Sequence, residues 1–153
     1  MVAIFLLASL AAYSVVASQP LFYLVALGRA QRELSAPAYV ELRQRINPLM
    51  AQRVSVIYGS ALLALLLLLF FSFRGGERLV LATAGVAVAC LVVDAVLMLR
   101  VSVPINTRMD AWTPAEQPAD WQDHRARWFA IFAYRQVALL VGFGSLLIGA
   151  ALH

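Results

Sequence analysis

Long apolar runs, broken by short polar interruptions, dominate the hydropathy pattern of this chain. A helix needs about 20 mostly apolar residues to cross a bilayer. Four stretches meet that length, at about 2–28, 48–73, 78–102 and 119–152. The last starts near Pro118 and enters its apolar part at about Trp128. The pattern predicts an all-α four-transmembrane-helix bundle forming one integral membrane domain over 1–153. "SVVASQP" is followed by further apolar sequence to Gly28, and no basic segment precedes it. We therefore expect a retained first span, not a cleaved leader. Pro20 should kink it, because proline donates no backbone bond.

The polar interruptions predict the rest. "FRGGE", Phe73–Glu77, reads as a tight turn between spans two and three. In loop one, Ser35 and Pro37 start a short amphipathic helix in which Tyr39, Leu42 and Ile46 share a face and Arg43 and Arg45 lie elsewhere. Asn47 followed by Pro48 reads as the cap and first turn of span two. Pro104 should end span three, with Pro114 and Pro118 stiffening the return to span four.

Composition and charge agree with a membrane protein. The chain is 63% hydrophobic and 13% charged, far from a soluble domain. Its twelve basic residues are all arginine. Loop one and its edges hold five: Arg29, Arg32, Arg43, Arg45 and Arg53. Loop three and its edges hold four: Arg100, Arg108, Arg125 and Arg127. The turn between spans two and three holds Arg74 and Arg78. The positive-inside rule places loops one and three in the cytoplasm, with both termini outside the inner membrane. The arginines form no block, so contact with anionic lipid is expected and nucleic-acid binding is not. Cys90 is the one cysteine. No metal-ligand spacing, phosphate loop or nucleophile elbow is present, and no cofactor is predicted.

The chemically capable side chains concentrate between Val103 and Trp128, which holds all three tryptophans. Trp121, Arg125, Trp128, Phe132, Arg135, Leu139 and Gly142 follow one another at alternating spacings of four and three. On a helix this is one stripe, expected to face the bundle. Arg135 lies about two turns inside the apolar part of span four, where a charge costs roughly 2.5–3.5 kcal/mol. Asp94 lies at similar depth on span three, so the two should pair. Gln19, Tyr23, Gln52, Ser55, Tyr58, Tyr134 and Gln136 fall in the same half of the membrane and suggest a polar cavity. Asn106, Arg108 and Trp112 would form its lid. His124, beside Asp123, reads as a solvated histidine or a proton carrier. Ala138, Gly142, Ser145 and Gly149 form a small-residue face for close helix packing or for an oligomer.

"VPINTRMDAW", followed by tryptophan, arginine, tryptophan and arginine along the last helix, resembles the anthrone oxygenase-like family of small four-span membrane proteins. The residues that carry the likeness are Pro104, Asn106, Trp112, Trp121, Arg125, Trp128 and Arg135. The resemblance implies oxidation of phenolic anthrones to anthraquinones, with molecular oxygen as co-substrate and no organic cofactor. Many members carry a histidine four residues after the second tryptophan of that helix; this chain has Phe132. On this reading Arg135, Arg125 and Asp94 carry the chemistry, with the arginines holding an oxyanion. Trp112, Trp121 and Trp128 stack on a flat aromatic molecule, Asn106 meets a carbonyl, and Tyr58 joins the pocket. One rival is a non-enzymatic accessory subunit or a lipid- or quinone-binding protein. Another is a glutathione-linked four-span membrane enzyme, similar in size and loop charge but with a motif of arginine, asparagine and glutamate that has no counterpart here.

Overall fold

The computed structural model describes residues 1–113 and 116–153; Pro114 lies outside them. Its helices are α1 (Val2–Phe22), α2 (Gly28–Glu33), α3 (Ala36–Gly75), α4 (Arg78–Leu97), α5 (Val103–Asp110) and α6 (Trp121–Ala151). A π-helical turn, Tyr23–Leu27, welds α1 to α2, and a second, Met98–Ser102, welds α4 to α5. The result is four long rods, Val2–Glu33, Ala36–Gly75, Arg78–Asp110 and Trp121–Ala151, each long and apolar enough to cross a membrane. Helix α1 packs between α3 and α6, and so does α4, which closes a four-membered ring.

Two prolines, Pro48 and Pro104, behave differently from expectation. Pro20 lies inside α1, and the turn after it widens to π, with the Gly28 N–H donating to the Tyr23 carbonyl. Pro48 does not begin a helix; it lies inside α3. Asn47 caps nothing and donates instead to Asp110 Oδ1 at 2.7 Å. The segment before Pro48 stays in line because its buried face, Tyr39, Val40 and Arg43, is gripped by the rest of the bundle. That tertiary grip offsets the roughly 3 kcal/mol of an internal proline. Pro104 does not close span three; it falls in the first turn of α5, where a missing N–H is tolerated. Ser35 does sit at the start of α3, and Gly76, at φ 72°, ends it in the left-handed conformation that glycine allows.

Both termini lie at the end of the molecule that carries this glycine turn. Phe5 stacks on Phe71 at 4.6 Å, and Ser145 donates to the Thr83 carbonyl at 2.9 Å. Loops one and three share the opposite end. The core divides accordingly. Tyr13, Ala61, Leu65, Leu68, Ala84, Ala87 and Leu146 fill the terminal half. Tyr23, Tyr39, Ile105, Met109, Trp128, Phe129 and Phe132 fill the loop half.

The small-residue face of α6 is consumed inside the bundle. A Cβ at Gly142 would collide with the Tyr13 hydroxyl and press on Cys90, and one at Gly149 would collide with Thr83. Gly142 and Gly149 thus admit α1 and α4.

Candidate functional site

The stripe on α6 turns inward as its spacing demands. Trp128, Phe132, Arg135, Leu139 and Gly142 are buried, because four-and-three spacing keeps side chains on one side of a helix. Arg135 meets Asp94 in a two-pronged ion pair: Nε donates to Oδ1 at 2.8 Å and Nη2 to Oδ2 at 3.3 Å. Asp94 is fully buried and Arg135 nearly so. The Tyr58 hydroxyl donates to Asp94 Oδ2, and Arg135 Nη1 donates to Ser102 Oγ at 3.3 Å. Ser102 belongs to the second π turn, so that irregularity helps complete the shell around the guanidinium. A buried ion pair needs such extra hydrogen bonds to offset its desolvation.

A cavity of about 310 Å³ opens above this pair. That is the lower end of the range for small-molecule sites. All four rods contribute to it. Tyr23, Trp128 and Phe132 form an aromatic wall, with Trp128 and Phe132 stacked at 4.8 Å. Arg135, Tyr58 and Ser102 supply polar groups low in the cavity, and Gln19, Arg43, Asn47 and Asn106 supply others. Phe22, Met50 and Val103 also line it and remain exposed, so part of its rim is apolar.

Arg43 is the residue the periodicity missed. The periodicity sets it off the face of Tyr39, Leu42 and Ile46, yet only 3% of it is exposed. Its guanidinium lies 4.2 Å over the Trp128 ring, and its Nη2 donates to Asn106 Oδ1 at 2.7 Å. Arg43 Nε and Trp128 Nε1 are buried donors without an acceptor among the described residues. The available signal was Tyr39, Arg43 and Asn47 at spacings of four, a second face competing with Tyr39, Leu42 and Ile46.

Of the expected site residues, the structure brings Arg135, Tyr58, Asn106 and Trp128 to the cavity, with Asp94 directly behind Arg135. It leaves Arg125, Trp112 and Trp121 outside. Arg125 donates to the Leu34 carbonyl at 3.1 Å and lies 4.4 Å over the Trp121 ring. It thereby ties the corner between α2 and α3 to α6. Trp112 packs edge-on against His124 at 5.4 Å, while its carbonyl accepts from Gln44 at 2.6 Å. Arg108, expected in a lid, is exposed. His124 lies 3.3 Å from Asp120. Gln52, Ser55 and Tyr134 point outward, and Gln136 reaches the Pro20 carbonyl at 3.5 Å. Among the described residues, no group of three or more His, Cys, Asp or Glu is placed to hold a metal.

Searches of protein-family models, curated proteins and solved structures returned no match to this chain.

Proposed function

We propose that this chain is a multi-pass inner-membrane protein whose cavity binds a flat, oxygen-bearing aromatic molecule of anthrone or quinone type. The observation that carries this reading is the makeup of one cavity. An aromatic wall, Tyr23, Trp128 and Phe132, stands above the fixed guanidinium of Arg135, with the side-chain amides of Gln19 and Asn106 in the same lining. Ring faces suit ring faces, and buried donors suit ketone or phenolic oxygens. The apolar rim lets such a ligand enter from lipid. The arginine asymmetry supports a cytoplasmic location for the cavity end and an outside location for both termini.

The anthrone oxygenase-like resemblance adds a reaction. An anthrone's methylene carbon loses a proton, molecular oxygen adds to that carbon, and the hydroperoxide loses water to leave a second ketone. One oxygen atom ends in the quinone and the other in water. Arg135, the one of the two expected arginines that lines the cavity, would stabilise the oxyanion formed when the proton leaves. Binding without turnover is the alternative. It is favoured by the lining itself, whose titratable groups are Tyr23, Tyr58, Arg43 and Arg135. A base for the methylene proton would have to come from the substrate's own phenolate or from water.

The test is a titration of the detergent-purified protein with a naphthoquinone, followed through tryptophan fluorescence. Trp128, in the wall, should be quenched saturably. Val54→Phe, which fills the cavity, should remove the saturable component without lowering the melting temperature. Linear quenching, identical in the two proteins, would end the reading.

A further inference from the structure

Among the described residues, Arg43 has no carboxylate partner. Glu41 pairs with Arg45 at 2.6 Å, Asp110 accepts from Asn47 at 2.7 Å, and Asp94 pairs with Arg135 at 2.8 Å. The compensation that Arg43 does receive is one amide oxygen, from Asn106, and the π face of Trp128. Neither carries a formal charge. A guanidinium stays ionised in proteins, and a buried charge without a counter-charge is costly. Arg43 lines the cavity and is 97% buried, being 3% exposed. Arg135, in the same lining, is already neutralised by Asp94. The cavity therefore holds one unanswered positive charge, beside an aromatic wall.

We infer that the ligand binds as an oxyanion, its negative oxygen paired with Arg43 and its rings against Trp128 and Phe132. This deepens the cavity reading and rests on it. The ligand class narrows from aromatic ketones in general to acidic hydroxyaromatics, such as hydroxyquinones and phenols that ionise near neutral pH. Arg43 is then the residue that selects the ionised form, while Arg135 and Asp94 form a neutral floor. The planar fork of arginine suits an oxygen pair such as a hydroxyl beside a quinone carbonyl.

The decisive variant is Asn106→Asp. It replaces the acceptor of Arg43 with a carboxylate of the same shape, supplying from within the protein the charge that the ligand would bring. Two probes are titrated: a hydroxynaphthoquinone that is ionised at neutral pH, and its methyl ether, which is neutral. Wild type should bind the hydroxy probe at least about tenfold more tightly than the ether, the scale of a charge-assisted hydrogen bond. Asn106→Asp should keep or raise the melting temperature and lose the preference for the hydroxy probe over the ether. Arg43→Lys should keep part of the preference, and Arg43→Gln none. Equal binding of the two probes by wild type overturns the inference and leaves the cavity reading standing. Binding of neither probe overturns both. A decanoate that competes as well as the hydroxy probe keeps the anion but removes the aromatic selectivity, and so overturns the ligand class.

Discussion

Arg135 and Asp94 face each other across the α4–α6 interface, Nε to Oδ1 at 2.8 Å, with Tyr58 and Ser102 closing the remaining positions around them. Water has almost no access to either charge. Their attraction is therefore strong, and so is the penalty for leaving one of them alone. Asp94→Asn should cost on the order of 3–5 kcal/mol of stability, read as a lower melting temperature or a lower yield of folded protein. Adding Arg135→Gln to Asp94→Asn should recover part of the loss. A single Asp94→Asn protein as stable as wild type would mean that Arg135 finds another counter-charge or water.

Gly142 sets how close α6 comes to α1. Alanine there would drive its methyl group into the Tyr13 hydroxyl, which already lacks a hydrogen-bond partner. Overpacking of this kind costs about 1–3 kcal/mol. Gly142→Ala should show that loss in thermal unfolding, and Tyr13→Phe, which deletes the offending oxygen, should return much of it. If the two substitutions are simply additive, they do not share this contact.

Arg125 serves the corner between α2 and α3 and leaves the ligand alone. Arg125→Ala removes a charged hydrogen bond to the Leu34 carbonyl, together with the cover over Trp121. A loss of about 1–3 kcal/mol is expected, with quinone affinity unchanged in the protein that remains folded. Phe132→Ala should show the reverse emphasis, weakening the probe by about tenfold, since aromatic packing and buried area both go. A drop in affinity with Arg125→Ala comparable to that of Phe132→Ala would move the site toward α2.

Reporter fusions test orientation. A reporter after His153 should score as non-cytoplasmic, and one inserted near Arg29 as cytoplasmic. The arginine distribution motivates this, nine near the two elaborate loops against Arg74 and Arg78 in the short turn. The opposite pattern would place the cavity mouth outside the cell.

Much of the bundle was legible in the sequence because membrane length and helical period are strong local signals. Four apolar runs became four rods, Gly76 made the turn, and the stripe from Trp128 to Gly142 faced inward. The pairing of Asp94 with Arg135 could be read from depth alone. The rest depended on distant contacts. Pro48 and Pro104 look like helix boundaries locally, and tertiary packing overrides them. Arg43 falls off the face of Tyr39, Leu42 and Ile46, and its own helix offers two competing faces; the choice is made by Trp128 and Asn106, far along the chain. Trp121 and Arg125 lie on the same stripe as Trp128, but α6 extends past the cavity before reaching them, and there they meet the loop-one corner.

The two π turns act on the chain much as a vernier acts on a scale. Each accommodates one residue more than an α turn would, so everything beyond it is rotated by roughly the 100° that one residue subtends. In the first rod that rotation falls between Tyr23, in the cavity wall, and Gln31, fully buried beyond the turn. In the third it falls between Asp94 and Asn106. A single-residue deletion within Tyr23–Leu27 or Met98–Ser102 is therefore a change of phase more than a loss of contacts. It would leave each rod long enough to cross the bilayer while swinging its loop-end residues away from the cavity, so that insertion and site assembly become separable properties of the same helix.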